Sequence, residues 1–227
     1  SEDQEEINEV DMNKFYTFAD LEQAMEFALI SEGVLKSNKV FDTANVLSVR
    51  LHTLVNGDNK HYFSYPKYVT RDQFVDSLLW DSTTNTRAQI VNFNINYIDD
   101  RLAKVITKIL SRMFFLKAST TKPRGSLAYH VIIEEAHRYV QHDSDVELLG
   151  YNIFERIAKE GRKYGVFLGL ITQRPSELSD TCVSQCMNFV ILRTLHPTDL
   201  KYIKEMVPNV SAEIVLQLKN LKPGNCI

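Results

Sequence analysis

The apolar positions change their period about a third of the way along the chain. From Thr17 to Leu35 they recur every three or four residues (Phe18, Leu21, Ala24, Met25, Ala28, Leu29) behind Thr17 as an N-cap, which predicts a helix. Thr43 to Val55 repeats that spacing with Val46, Leu47, Val49, Leu51 and Leu54, and stops at Asn56-Gly57, a turn or C-cap pair. A short strand His61 to Ser64 and a helix from about Arg71 to Leu79 complete a small helical module. Beyond it, strand and helix patterns alternate. Ala88 to Phe93 reads as a strand, and Ile98 to Leu116 as a long amphipathic helix with Ile98, Leu102, Val105, Ile106, Ile109, Leu110 and Met113 on one face. Leu127 to Ile133 is a near-continuous apolar strand, the pattern of a central parallel strand covered on both faces. Asp145 to Lys163 (helix), Val166 to Ile171 (strand), Ser179 to Met187 (helix), Phe189 to Leu192 (strand), Thr198 to Met206 and Ser211 to Leu218 (helices) follow. This alternation predicts a doubly wound α/β sheet. The expected organisation is an acidic lead at 1–13, a helical module at 14–86 and an α/β core at 87–227.

Polar residues punctuate the two most apolar strands at the same end. Val131-Ile132-Ile133 runs into Glu134-Glu135-Ala136-His137, and Val166 to Ile171 runs into Thr172-Gln173-Arg174-Pro175. Between them lies a helix ending in Glu160-Gly161-Arg162-Lys163-Tyr164-Gly165. Two parallel strands joined by a helix form a βαβ unit, which brings both polar tips to one sheet edge.

Composition adds little to the fold and excludes several functions. The 227 residues, 44% hydrophobic and 24% charged, suit a globular core with a small appended module. No run approaches the roughly 18 apolar residues of a membrane span. The first eleven residues carry Glu2, Asp3, Glu5, Glu6, Glu9 and Asp11 and no cation, the wrong sign for a secretory leader, so a cytoplasmic location is expected. Three cysteines make no disulfide framework; Cys182 and Cys186 read as structural thiols rather than as a metal pair. The net charge of −3 is uneven: residues 150–227 hold 10 Lys and Arg against 7 Asp and Glu, the first 149 hold 16 against 22. Any nucleic acid is therefore bound by a local surface rather than by the chain as a whole.

Carboxylates at the tip of a buried strand are costly unless they meet a cation or donors. Mg²⁺ meets that demand at Glu134-Glu135: one carboxylate holds the ion or its water shell, the next polarises an attacking water. The competing reading is a helix N-terminus, where the dipole favours Glu. Arg162 is either a guanidinium that reaches the γ-phosphate of a nucleotide in a neighbouring subunit or a solvated cation at a helix C-terminus. Gln173, with Thr172 and Arg174 beside it, can sense phosphate or orient the lytic water, or is an ordinary polar residue between strand and loop. His137 is an ordinary hydrogen-bonded histidine or one that orients Glu135. His130 and His142 carry no readable signal.

Val131 to Tyr139 (VIIEEAHRY), Glu155 to Gly165 (ERIAKEGRKYG), Thr172 to Leu178 (TQRPSEL) and Val183 to Asn188 (VSQCMN) together resemble HerA-type ATPases of the FtsK–HerA superfamily. The likeness covers roughly residues 88–227. It extends more weakly over Asn45 to Tyr65, which looks like the family's helical insert. The resemblance implies a RecA-like P-loop NTPase core, here partial, with a mostly parallel sheet flanked by helices. It further implies a hexameric ATP-driven DNA translocase using ATP and Mg²⁺ on double-stranded DNA, with a nuclease as a possible partner. By the resemblance Glu134 is the Walker B acid on the magnesium side, Glu135 the catalytic glutamate, Gln173 the sensor and Arg162 the arginine acting in trans, with Thr172 and Arg174 at the nucleotide. One family feature is missing from the 227 residues: no glycine lies in a GxxxxGK[ST] loop. The chain therefore reads as the C-terminal part of an ATPase core and is expected to hydrolyse little by itself. The alternatives are a non-hydrolysing oligomeric scaffold that recruits a nuclease, and a related DNA-packaging or conjugation ATPase.

Overall fold

A computed structural model describes residues 17–31, 38–57, 60, 69–141 and 152–227. The acidic lead, the expected strand at His61 to Ser64, His142 and the expected helix start at Asp145 lie outside these residues. The chain divides into two compact units at Thr70/Arg71.

In the first unit α1 (Phe18–Ser31) packs on α2 (Asn38–Asn56). Thr17 caps α1 as its sequence predicts. Its hydroxyl accepts from the Asp20 amide at 3.2 Å, and the Asp20 carboxylate accepts from the Thr17 amide at 2.6 Å, a reciprocal capping box. Glu22 of α1 pairs with His52 of α2.

The second unit opens with α3 (Arg71–Leu78) and a small hairpin, β1 (Trp80–Asp81) antiparallel to β2 (Thr86–Arg87). Asp81 staples the turn by accepting from the Thr83 amide at 2.9 Å and the Thr84 hydroxyl at 2.8 Å. Residues 71–86, which the sequence pattern assigns to the helical module, here belong to the second unit. Val75 sits fully buried in its core, and the buried Lys117 ammonium ties the Asp72 carbonyl and the Asp76 carboxylate to the next helix.

That helix, α4 (Asp100–Thr120), begins where Asp99 accepts from the Arg101 and Leu102 amides. It leads to β3 (Tyr129–Ile133), then α5 (Ile153–Tyr164), then β4 (Val166–Leu170). Strands β3 and β4 are parallel, with Tyr129 opposite Val166 and Ile133 opposite Leu170, so the predicted βαβ unit is present. Two glycines make its return tight. Gly165 ends α5 at φ 82, a left-handed conformation that favours glycine. At Gly161 a Cβ would meet the Val166 carbonyl oxygen at 2.3 Å, so only glycine lets α5 lie this close to β4. Short helices α6 (Asp180–Ser184), α7 (Pro197–Met206) and α8 (Ala212–Asn220) complete the unit. Phe115, Phe154, Ile157 and Val166 form the centre of the main core; Leu200, Ile203 and Leu218 form a smaller one.

The architecture is α/β, a small parallel sheet flanked by helices, and it departs from the expected doubly wound sheet in three places. Tyr129 and Ile133 are buried, but the other face is open: Ile132 is 64% and Phe167 40% exposed, with His130 stacked on Phe167. Residues 88–93 form no strand, and Ile90 is 89% exposed. Residues 189–192 are joined to the chain end only through one bridge, Leu192 with Cys226, beside the Ile191–Ile227 backbone pair. The last two share a cause: an extended segment becomes a strand only beside another that satisfies its N–H and C=O groups.

Candidate functional site

The parallel register delivers the two polar tips side by side. The Ile171 amide donates to the Ile133 carbonyl at 3.0 Å and the Ala136 amide to the Ile171 carbonyl at 2.9 Å, so the ladder carries on past the strands into the tips. Across this junction the Gln173 side-chain amide donates to Glu135 Oε1 at 3.0 Å. The other carboxylate oxygen, Oε2, lies 3.4 Å from His137 Nδ1, which is also 3.0 Å from Thr172 Oγ1. The Glu135 side chain remains 43% exposed, so the carboxylate meets solvent while each of its oxygens has a neighbour.

The backbone at Glu135 is unusual. Its φ of 47 and ψ of 44 are left-handed, a conformation that costs a residue with a Cβ about 1–2 kcal/mol. The residue caps the one-turn 3₁₀ helix Ala136–Arg138, whose alanine is fully buried. Burial of Ala136 and its bond to Ile171 force the chain to turn at Glu135, where the left-handed kink aims the carboxylate across at Gln173. Strain of this kind persists where packing over-determines it.

The remaining residues singled out by the sequence spread around this pair. Glu134 is exposed at the same tip, on the open sheet face that also carries Ile132, and has no hydrogen-bond partner among the described residues. Thr172 accepts the Arg174 amide at 3.0 Å, while the Arg174 guanidinium turns to Glu177 at 2.9 Å, which raises its pKa further. Arg162 is not part of the cluster. It lies in the last turn of α5, where Gly165 bonds back to its carbonyl and hands over to Tyr129 at the start of β3. That is the opposite end of the strands, about 16 Å from the tips for five residues at about 3.3 Å each. The structure thus brings together Glu135, Gln173 and Thr172, sets Glu134 beside them, and leaves Arg162 apart.

One supporting contact has no sequence signal. The buried Asp199 of α7 accepts from the Ser176 hydroxyl at 2.6 Å and the Ser176 amide at 3.2 Å, anchoring the turn Pro175–Glu177 just after Gln173. Ser179 in turn donates to Glu155 of α5 at 2.7 Å and its amide bonds Val140. The loop that carries Gln173 is therefore fixed from two helices. Cys182 and Cys186 are free thiols, the first buried and the second half-buried, and burial pushes the Cys182 pKa up to about 12, in keeping with a structural role.

Hard carboxylate oxygens at a strand tip suit Mg²⁺. No cluster of three or more metal-ligating side chains occurs among the described residues. The chain can then offer that ion one or two carboxylates, with phosphate and water supplying the rest, as Mg²⁺ sites commonly do.

No protein-family model matches the chain. Curated relatives do. Over 160 residues it is 40% identical to the DNA double-strand break repair helicase HerA of Sulfurisphaera tokodaii, an alignment covering 68% of this chain and 32% of the relative. Over 132 residues it is 35% identical to HerA of Saccharolobus solfataricus, covering 57% and 26%. A probable helicase of Methanocaldococcus jannaschii is 48% identical over 97 residues, covering 43% and 18%. The chain thus spans a third or less of the length of these relatives. Among solved structures it is similar to the DNA-packaging ATPase B204 of Sulfolobus turreted icosahedral virus, at 20% identity and a TM-score of 0.44, over 73% of this chain and 67% of that one. The resemblance to HerA-type ATPases read from the sequence holds.

Proposed function

We propose that this chain, similar over much of its length to HerA repair helicases, is the part of an ATP-driven DNA translocase that carries the hydrolytic carboxylates. The observation that supports this most directly is the 3.0 Å bond from Gln173 to Glu135, made between adjacent parallel strand tips by a glutamate in a left-handed conformation. In this reading the second unit, residues 71–227, holds the C-terminal part of a RecA-like core, and the helices before it are a helical insert.

Glu135, still open to solvent, accepts the proton of the attacking water, while Gln173 and His137 hold the carboxylate in place. Gln173 keeps its side-chain carbonyl available to the water it helps to orient. Mg²⁺, when bound, would neutralise phosphate charge, and Glu134, without a hydrogen-bond partner among the described residues, would hold it or its water shell. Thr172 and Arg174 flank the phosphates. Arg162, distant from the cluster of its own chain, acts on the nucleotide of a neighbouring copy, so turnover requires an assembly, a homo-hexamer by analogy with the family. Duplex DNA is gripped through its phosphates and a nuclease works beside the motor. The compartment is the cytoplasm; no helix among the described residues is long and apolar enough to cross a membrane.

The deciding experiment is ATP hydrolysis by the protein, with and without duplex DNA, beside its Glu135→Gln variant. DNA-stimulated turnover that drops at least a hundredfold in the variant, with ATP binding retained, is the expected result. Turnover unchanged by the substitution refutes the role of Glu135. Mixing Arg162→Ala with Glu135→Gln subunits should restore part of the activity at mixed interfaces. No recovery at any ratio, in rings that demonstrably mix, makes Arg162 a structural helix end.

A further inference from the structure

The turn that follows Gln173 is tied to a buried charge. Ser176, the middle residue of Pro175–Glu177, gives both its hydroxyl, at 2.6 Å, and its amide, at 3.2 Å, to Oδ1 of Asp199 on α7. Only 7% of the Asp199 side chain is exposed, and among the described residues both hydrogen bonds to it come from Ser176. His196 Nδ1 lies 3.6 Å from the other oxygen, Oδ2. The Arg174 guanidinium, its pKa raised mainly by Glu177, also senses the Asp199 charge. Asp199 is the third residue of α7, where the helix dipole favours a carboxylate. The helix itself is held on two sides: Leu200 and Ile203 are buried in the smaller core, while Tyr202 and Met206 pack against the main one.

We propose that Asp199 is a positioning residue for hydrolysis: through Ser176 it sets, from α7, where Gln173 presents its amide to Glu135. The inference rests on the motor reading above. A buried carboxylate contributes little to stability for its own sake, because an apolar side chain of similar size often does as well or better. What it fixes is geometry. Ser176 stands three residues from Gln173, at most about 11 Å of chain, and both intervening residues are held. The Arg174 amide donates to Thr172 Oγ1 at 3.0 Å, and its carbonyl accepts from the Glu177 amide at 3.2 Å. Pro175 has its φ fixed by its ring. A shift of Ser176 therefore finds no slack and is passed on to Gln173, whose side chain has to stay 3.0 Å from Glu135.

The test is steady-state ATP hydrolysis by the intact protein with duplex DNA, run as a double-mutant cycle between Ser176→Ala and Gln173→Ala. Misplacing Gln173 can cost no more than deleting it, about five- to thirtyfold. Ser176→Ala, which leaves the amide bond to Asp199 in place, should lower kcat about three- to tenfold with KM for ATP little changed. In the Gln173→Ala background the same substitution should cost less than about twofold, because the group it positions is gone. Ser176→Thr keeps a hydroxyl and should restore turnover. Should circular dichroism show Ser176→Ala unfolded, Asp199→Asn takes its place: a neutral acceptor keeps about half the bond strength, so kcat should fall about two- to threefold. Unchanged turnover in the substituted chain, or an equal loss in both backgrounds, overturns the proposal. A second readout needs no nucleotide. In NMR spectra of the 227-residue chain, the Gln173 side-chain amide signals are identified by their loss in Gln173→Ala. In Ser176→Ala they should move in the direction that Glu135→Ala moves them. Signals that stay in place overturn the proposal whatever the turnover. Absence of DNA-stimulated turnover in the intact parent instead sinks the motor reading, and the amide shift then decides whether Asp199 places Gln173.

Discussion

The left-handed backbone at Glu135 makes a stability prediction that needs no nucleotide. Glu135→Ala and Glu135→Gly remove the same carboxylate and the same bond to Gln173, so their difference isolates the backbone. At φ 47 an alanine still carries the Cβ that clashes with the following carbonyl, at a cost of about 1–2 kcal/mol that glycine avoids. Against this, glycine loses about 0.5–1 kcal/mol more in chain entropy on folding. The difference favours glycine by roughly 0.5–1 kcal/mol, the reverse of the order found in helices and strands. For a chain of this size that corresponds to a melting temperature about 1–4 °C higher for Glu135→Gly than for Glu135→Ala. Differential scanning calorimetry of the two purified variants measures it directly. Glu135→Ala melting at or above Glu135→Gly would refute the strain argument and, with it, the idea that the fold forces this residue to aim its carboxylate. Finding the predicted order while both variants lack ATP turnover would mean that glutamate is retained here at the expense of stability.

Two further outcomes follow from named contacts. Gln173→Ala removes one donor to a half-exposed carboxylate, worth about 1–2 kcal/mol after screening, so steady-state ATP turnover should drop about five- to thirtyfold with nucleotide affinity nearly unchanged. An affinity loss with full turnover at saturation would instead make Gln173 a binding group. The pH dependence of unfolding has a defined sign above neutrality. Burial raises Cys182 from 9.0 to about 12, and burial with the Asp180 bond raises Tyr202, so the folded chain keeps protons that the unfolded chain releases. Their stabilisation is complete below pH 9 and is lost as pH rises from there through about 12, so the urea midpoint should decline across that window. A Cys182→Ala variant that declines identically would remove the thiol from the account.

The βαβ unit was legible because its physics is local. Two β-branched and apolar runs, a capped amphipathic helix between them and Gly165 at the turn leave little choice of arrangement, and parallel pairing then sends Glu135 and Gln173 to one edge. The kink at Glu135 was not legible: glutamate carries no preference for a left-handed conformation, and the buried Ala136 that enforces it acts through tertiary packing. Segments 88–93 and 189–192 carry strand-like patterns, but a pattern specifies which side chains alternate and not whether a neighbouring strand will complete the ladder. The hairpin Trp80 to Arg87 escaped notice because two-residue strands are too short to show a period, although Asp81 and Asn85 in its turn are readable turn residues. Ser176 and Asp199 stand 23 residues apart and meet only because α7 folds back on the loop after Gln173.

The position of Arg162 follows from the same parallel geometry that builds the site. In a βαβ unit the crossover helix runs antiparallel to both strands, so residues at its C-terminus lie by the strand beginnings and residues after each strand lie at the far edge. Gly165 bonding Tyr129 marks one end, and Ala136 bonding Ile171 marks the other. A guanidinium in the last turn of α5 cannot cross the length of the sheet to a ligand at Glu135 of the same chain. At home it costs nothing, because a cation at a helix C-terminus is stabilised by the dipole whether or not it does anything else. Proximity in sequence to the two strand tips therefore argues neither for nor against a catalytic Arg162. What the fold does dictate is narrower: if Glu135 and Arg162 ever meet one phosphate, they belong to two copies of the chain, and the reaction is a property of their interface.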